Sequence, residues 1–145
     1  MGLQPIPALP VLLLAALPTL ASCQDESAPA GQGPDRTAFA QVEKVEMPGI
    51  ENFSRAAAGA GFGGATRPSA MPGLKKEGFA SVINLRLASE AGADVDASRI
   101  AAEAAGLRYI HLPLDAGDPA PQIVPDFLAA VGDQENQPVY FHCGS

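Results

Sequence analysis

The stretch Pro138-Val139-Tyr140-Phe141-His142-Cys143-Gly144-Ser145 decides the fold. Successive β-branched and aromatic residues suit a pleated, buried surface, and a short apolar run bounded by Pro138 and Gly144 has strand length. Cys143 falls where that strand gives way to a loop of small residues. In open α/β sheets, sites are built beyond the C-terminal ends of the strands. A strand that runs through a loop into a helix N-terminus presents backbone N–H groups to an anion. The same dipole end favours a thiolate over a thiol. The ending therefore predicts a parallel sheet and a reactive position at the end of one strand.

Upstream of it, strands alternate with helices. Ser69 is placed to cap a short helix running to about Glu77, with Gly78 as its stop. Phe79 to Leu85 reads as a buried strand. Asp96 to Ala105 carries Ile100, Ala101, Ala104 and Ala105 at helical spacing and ends at Gly106. Leu107 to Leu112 is a further strand. Pro121 opens a helix whose core face is Ile123, Val124, Phe127, Leu128 and Val131, ended by Gly132. This alternation predicts an α/β fold, a parallel sheet with flanking helices joined by right-handed crossovers. Before it, Val42, Val45, Met47, Ile50 and Phe53 mark short extended pieces around Pro48-Gly49. Gly59-Ala60-Gly61-Phe62-Gly63-Gly64 matches G-x-G-x-x-G in form only. No strand precedes it and Arg67-Pro68 blocks the helix that a dinucleotide site needs, so it reads as a turn or short edge strand.

The N-terminal region is different in kind. Ala8 to Ala21 is an uncharged apolar run of 14 residues interrupted by Pro10 and Pro18. A membrane-spanning helix needs about 20, so residues 1–22 read as a secretory signal peptide. Leu20-Ala21-Ser22-Cys23 resembles the bacterial lipobox. By that resemblance Cys23 is lipidated and anchors an exported protein on the periplasmic side of a membrane, and Gln24 after it favours outer-membrane sorting. The lack of Lys or Arg in Met1 to Pro7 departs from the usual signal. The alternative is an ordinary cleaved signal. Residues 23–41 are rich in Ser, Ala, Gly and Pro and predict a flexible tether; residues 42–145 hold the folded domain. The net charge is −7 with no basic cluster, which argues against nucleic acid and against a basic membrane-binding face. With Cys23 acylated, Cys143 is the one remaining thiol of the sequence, which asks for a chemical reason. Covalent catalysis through sulfur also needs an acid for the leaving group. Asp115 and Asp118 follow a strand end and precede Cys143 by 28 and 25 residues.

Arg67-Pro68-Ser69, Gly78 to Arg86, Gly106 to Asp115 and Pro138 to Ser145 occur in an order that resembles the protein-tyrosine and dual-specificity phosphatase superfamily. They are most similar to its compact bacterial branch, with the phosphatase-like domain found beside β-lactamase-type hydrolases. The resemblance spans about Ile50 to the end. It implies a cysteine-phosphatase-like fold and hydrolysis of a phosphorylated protein or small phosphoester through a phosphocysteine, with no cofactor or metal. Cys143 is then the nucleophile, His142 helps hold the thiolate, and Gly144 and Ser145 open the phosphate loop. Asp115 is the expected acid, with Asp118 as its alternative, because many relatives place their aspartate where this chain has Ala116. Arg86 lines the pocket, or is a surface arginine paired with Glu90 or Asp94. His111 is expected to be a satisfied strand histidine and Asn84 to bond backbone at the strand end. The family motif His-Cys-(five residues)-Arg begins here without reaching position 149, which predicts a fragment, incomplete at the C-terminus and inactive as it stands. Three other readings remain at this level: a rhodanese-type sulfurtransferase, a non-catalytic phosphate-binding lipoprotein, and a structural α/β domain whose cysteine is merely buried.

Overall fold

The computed structural model describes residues 42–56 and 59–144. The leader, Cys23, the whole tether and Ser145 lie outside the described residues. The elements are β1 (Val42–Lys44), β2 (Ser54–Ala56), β3 (Ala60–Gly63), α1 (Met71–Lys76), β4 (Ser81–Asn84), α2 (Val95–Ala104), β5 (Arg108–His111), α3 (Ile123–Gly132) and β6 (Val139–His142). They build one sheet in the order β1-β2-β3-β6-β4-β5. β1, β2 and β3 form an antiparallel meander, whereas β3, β6, β4 and β5 run parallel. The α/β architecture is as expected, and the sheet is mixed rather than wholly parallel.

The glycine-rich stretch is the main correction. Gly59 does turn, but Ala60–Gly63 is an interior strand paired to β2 on one side and β6 on the other. Its glycines make room for aromatic rings. A Cβ on Gly61 would stand 2.5 Å from Phe79 Cζ and 3.3 Å from Tyr140 Cδ2. The bare backbone lets these rings pack flat on the sheet, a reason invisible to periodicity. Phe53, Phe79 and Tyr140 meet there with centroids 5.8–6.2 Å apart. Each such pair contributes about 0.5–1.5 kcal/mol beyond its buried area. Met71 and Leu74 of α1 and Ala102 of α2 complete this core.

Ser69 does not cap α1. It lies in a 3-10 turn over Pro68–Ala70, and the cap residue is Ala70, with no side-chain bond. Lys75 and Lys76 in the last turn complement the helix dipole. α2 is capped by Asp94, which takes a left-handed conformation and accepts from the Ala97 amide at 3.3 Å. Ala102 is its fully buried apolar residue, Ala101 packs against the core as expected, and Ile100 is 60% exposed. α3 covers the opposite face, where Phe127 meets Phe141 edge-on at 5.4 Å and Phe141 stacks on Phe62 at 5.9 Å. Val124 and Leu128, expected in the core, face outward. Among the described residues no helix is long and apolar enough to cross a membrane.

Candidate active site

β6 is an interior strand, with His142 in register between Gly63 of β3 and Asn84 of β4. Cys143 follows immediately, at the C-terminal edge of the parallel half of the sheet. Its amide donates to Gly63 O at 3.4 Å, and Leu85 N donates to His142 O at 2.9 Å. Both flanking strands thus grip the chain at the step where it leaves the sheet. Cys143 is half-buried, and its thiol is in no disulfide.

His142 is 1% exposed and its ring stacks on Tyr140 at 5.9 Å. Its Nδ1 lies 3.4 Å from the carbonyl oxygen of Cys143. A carbonyl only accepts, so Nδ1 carries the proton in that contact. Nε2 is buried, and no partner for it occurs among the described residues. Burial depresses the pKa of His142 to about 4, helped by the nearby Arg86 charge and opposed by the bond to Cys143. The ring is therefore neutral at pH 7. Tyr140 has its hydroxyl 2.7 Å from Thr66 Oγ1, and burial pushes its pKa far upward.

The end of β4 forms a second support. Asn84 accepts from the Arg86 amide at 2.9 Å and donates to the Tyr109 hydroxyl at 2.7 Å. The Tyr109 hydroxyl titrates above its usual value because it is partly buried. His111 Nε2 lies 2.8 Å from Arg86 O, so Arg86 has both backbone groups held. Asn84 and His111 thus take the structural positions expected of them. Arg86 is only 7% exposed. Its Nε donates to Glu90 Oε2 at 3.1 Å, Nη2 to Ala91 O at 2.8 Å and Nη1 to Gly92 O at 3.0 Å. The expected pairing with Glu90 is present, in a buried rather than a surface setting. Glu90 also accepts from Leu87 N at 2.8 Å. That backbone bond, with Arg86, holds the carboxyl below its usual pKa against the desolvation that would raise it.

This ion pair reaches the loop itself. A Cβ on Gly144 would lie 2.8 Å from Glu90 Oε2 and 3.5 Å from Arg86 Nε, so a side chain after the cysteine would have to displace the Glu90 carboxylate. Glu90 is the residue that sequence reasoning did not place at the site. Its i,i+4 spacing from Arg86 was the available signal. Two hollows flank the turn. One, of about 550 Å³, is lined by Glu51, Thr66, Arg67, Arg86 and Gly144. The other, of about 390 Å³, is lined by Lys44, Phe62, Leu85, Phe141 and Cys143.

Asp115 and Asp118 are exposed in the loop after β5. Leu112 N and Leu114 N still bond Asn84 O and Leu85 O, both at 2.9 Å. Asp115 thus begins where pairing stops, and its Oδ1 accepts from Gly117 N at 2.9 Å. β4 lies between β5 and β6. At about 4.8 Å per strand step, the loop starts roughly 10 Å from the cysteine-bearing strand. Among the described residues no group of three His, Cys, Asp or Glu side chains is placed to hold a metal ion.

The family model for the phosphatase-like domain of β-lactamase hydrolase-like proteins matches residues 61–145. The chain belongs to this family. Among solved structures, it is similar to a DUF442 protein of Shewanella putrefaciens CN-32 assigned as a phosphatase. Identity is 28% and the TM-score 0.60, over 66% of this chain and 60% of the other. It is also similar to TpbA of P. aeruginosa, in the cysteine-to-serine variant complexed with phosphotyrosine. That identity is 18% and the TM-score 0.55, over 77% of this chain and 62% of TpbA. The catalytic core of the S. cerevisiae PP-IP phosphatase Siw14, in complex with citrate, matches at 15% and TM-score 0.52, over 68% of this chain and 59% of that one. At those identities the last two show the fold alone. No curated protein is similar enough to count as a match. The chain spans about 60% of the length of the solved relatives it matches. This family member carries a cysteine-phosphatase-like α/β domain, as the sequence implied.

Proposed function

We propose that the protein is a cysteine-dependent phosphomonoester phosphatase, of the protein-tyrosine and dual-specificity kind. The observation that carries this is Cys143 at the end of the interior parallel strand β6, followed by a glycine packed against the Arg86–Glu90 pair. The Cys143 thiolate attacks phosphorus, and an S–P bond forms as the P–O bond to the leaving alcohol or phenol breaks. Asp115 in its acid form gives its proton to the departing oxygen; Asp118 is the alternative donor. Water then attacks phosphorus, the S–P bond breaks to restore the thiolate, and the carboxylate takes the proton of the water. Gly144 and Ser145 open the loop that receives the phosphate. The substrate class is a phosphorylated protein or a small phosphoester, in keeping with the phosphotyrosine held by the TpbA variant.

The test uses the full-length protein with 4-nitrophenyl phosphate and an alkyl phosphate. Cys143→Ser should abolish turnover of both, because a neutral hydroxyl is a far weaker nucleophile than a thiolate. Asp115→Asn should slow the alkyl ester much more than the aryl ester, since only the poor leaving group depends on protonation. That pattern in Asp118→Asn would move the acid to Asp118. Full activity in Cys143→Ser would refute the mechanism, and phosphate binding without turnover would favour a non-catalytic lipoprotein. The proposal includes export and anchoring through lipidated Cys23, supported by Leu20-Ala21-Ser22-Cys23. An unmodified N-terminus in mass spectrometry of membrane-purified protein would remove the anchor.

A further inference from the structure

Four of the five arginines among the described residues are committed to carboxylates. Arg55 pairs with Glu77, Arg86 with Glu90, Arg99 with Asp96 and Glu103, and Arg108 with Glu135. Arg67 is the exception: its guanidinium has no ion pair or hydrogen bond among the described residues. Its stem is nevertheless fixed. The amide donates to Gly49 O at 2.8 Å, the carbonyl accepts from Ala70 N at 2.9 Å, and Pro68 follows. The exposed side chain lines the hollow of about 550 Å³ that Gly144 also lines. The hollow's other arginine, Arg86, has its Nε, Nη1 and Nη2 already bonded to Glu90, Gly92 and Ala91.

We propose that this hollow beside Gly144 is a second anion subsite, in which Arg67 binds a carboxylate or phosphate carried on the leaving-group part of the substrate. The proposal rests on the phosphatase reading above. The planar fork of Arg67 matches an acid group bidentately, which offsets the side-chain freedom that Arg67 loses on binding. Glu51 lines the same hollow, and its carboxylate has no ion pair among the described residues. The hollow therefore has one positive and one negative pole. It suits a single extra acid group accompanied by hydroxyl or ammonium donors, and it disfavours a densely charged polyanion.

The experiment compares 2-, 3- and 4-carboxyphenyl phosphates with their uncharged carboxamides, using the full-length protein at low salt. For the best-placed isomer, the acid should exceed the amide roughly five- to tenfold in kcat/KM. That is about 1–1.4 kcal/mol at 1.4 kcal/mol per tenfold. The difference should lie mainly in KM and shrink as salt is raised. Arg67→Gln should bring the ratio to one or below, and Arg67→Lys should keep part of it. Glu51→Gln should increase the preference for the acid. Arg108→Gln, which removes the same charge from a solvated ion pair with Glu135, should keep the native ratio and activity. Turnover of both esters with a ratio of one for every isomer, or an unchanged ratio in Arg67→Gln, overturns the subsite alone. If no aryl phosphate is cleaved by the native protein, the phosphatase reading falls and the subsite falls with it.

Discussion

Arg86→Leu should destabilise the domain by about 2–3 kcal/mol, more than any ordinary loop arginine would. The native side chain is 8% exposed and donates to three acceptors within one turn, Glu90 Oε2, Ala91 O and Gly92 O, at 3.1, 2.8 and 3.0 Å. A hydrogen bond to a charged group contributes about 1.5–3 kcal/mol in favourable settings. Here the acceptors face water: Ala91 and Gly92 are exposed, and the Glu90 side chain is 35% exposed. Solvent replaces much of each lost bond, so about 1 kcal/mol per bond is the appropriate figure. Leucine recovers a little through its own burial. For a domain of this size, 1 kcal/mol moves Tm by about 4–8 °C, which puts the expected fall at roughly 10–20 °C in a circular-dichroism melt. Arg86→Lys should fall between the two, since an ammonium cannot reach three divergent acceptors. Adding Glu90→Gln to Arg86→Leu should cost less than the sum of the singles, because the carboxylate has already lost its partner. A Tm within about 3 °C of native in Arg86→Leu would refute the reasoning and return Arg86 to the role of a solvated surface charge.

Gly144→Ala should leave global stability within about 1 kcal/mol while lowering kcat at least tenfold in the phosphatase assay. The new methyl displaces a surface-reaching carboxylate rather than backbone, yet it shifts the residue beside Cys143, the proposed nucleophile; native kcat would oppose this. His142 supplies a pH dependence. Its pKa is about 4 when folded and about 6.5 as a reference, so the unfolded chain binds the extra proton between those values. Stability should therefore be fully present above pH 6.5 and decline as pH falls towards 4, by roughly 2–3 kcal/mol in total. Denaturant titrations at pH 5 and 7 should show this slope in the native protein and a flatter one in His142→Asn; equal slopes would contradict it.

The parts legible in the sequence were those set locally. Val82 and Ile83 announced a buried strand and are wholly buried in β4. Val139 to His142 announced the strand that delivers Cys143, and β6 has those bounds. The Arg86–Glu90 pair was visible as an i,i+4 spacing. What failed depended on neighbours remote in sequence. Gly61 looked like turn material because the rings of Phe79 and Tyr140 that require it come later in the chain. Ile100, Val124 and Leu128 fitted a helical stripe but are exposed, and Ala102, outside the expected stripe, packs in the core; Phe127 meets the sheet as expected. Arg67 stood in a resembling motif, but nothing local marked it as unpaired, since lacking a partner is a property of the assembled surface.

The placement of β6 has a consequence for biogenesis. Ala60 on one side and Ser81 on the other both pair with Val139. Until that strand arrives, the meander β1-β2-β3 and the pair β4-β5 share no ladder, and each shows water an unsatisfied edge. Non-local closure of this kind is slow. During synthesis the chain therefore passes through a stage in which two half-sheets wait for the same late segment, ready to accept a strand from another molecule instead. The segment that ends this vulnerability also brings in Cys143, so the turn proposed as the reactive centre takes shape only as the gap between the two half-sheets closes.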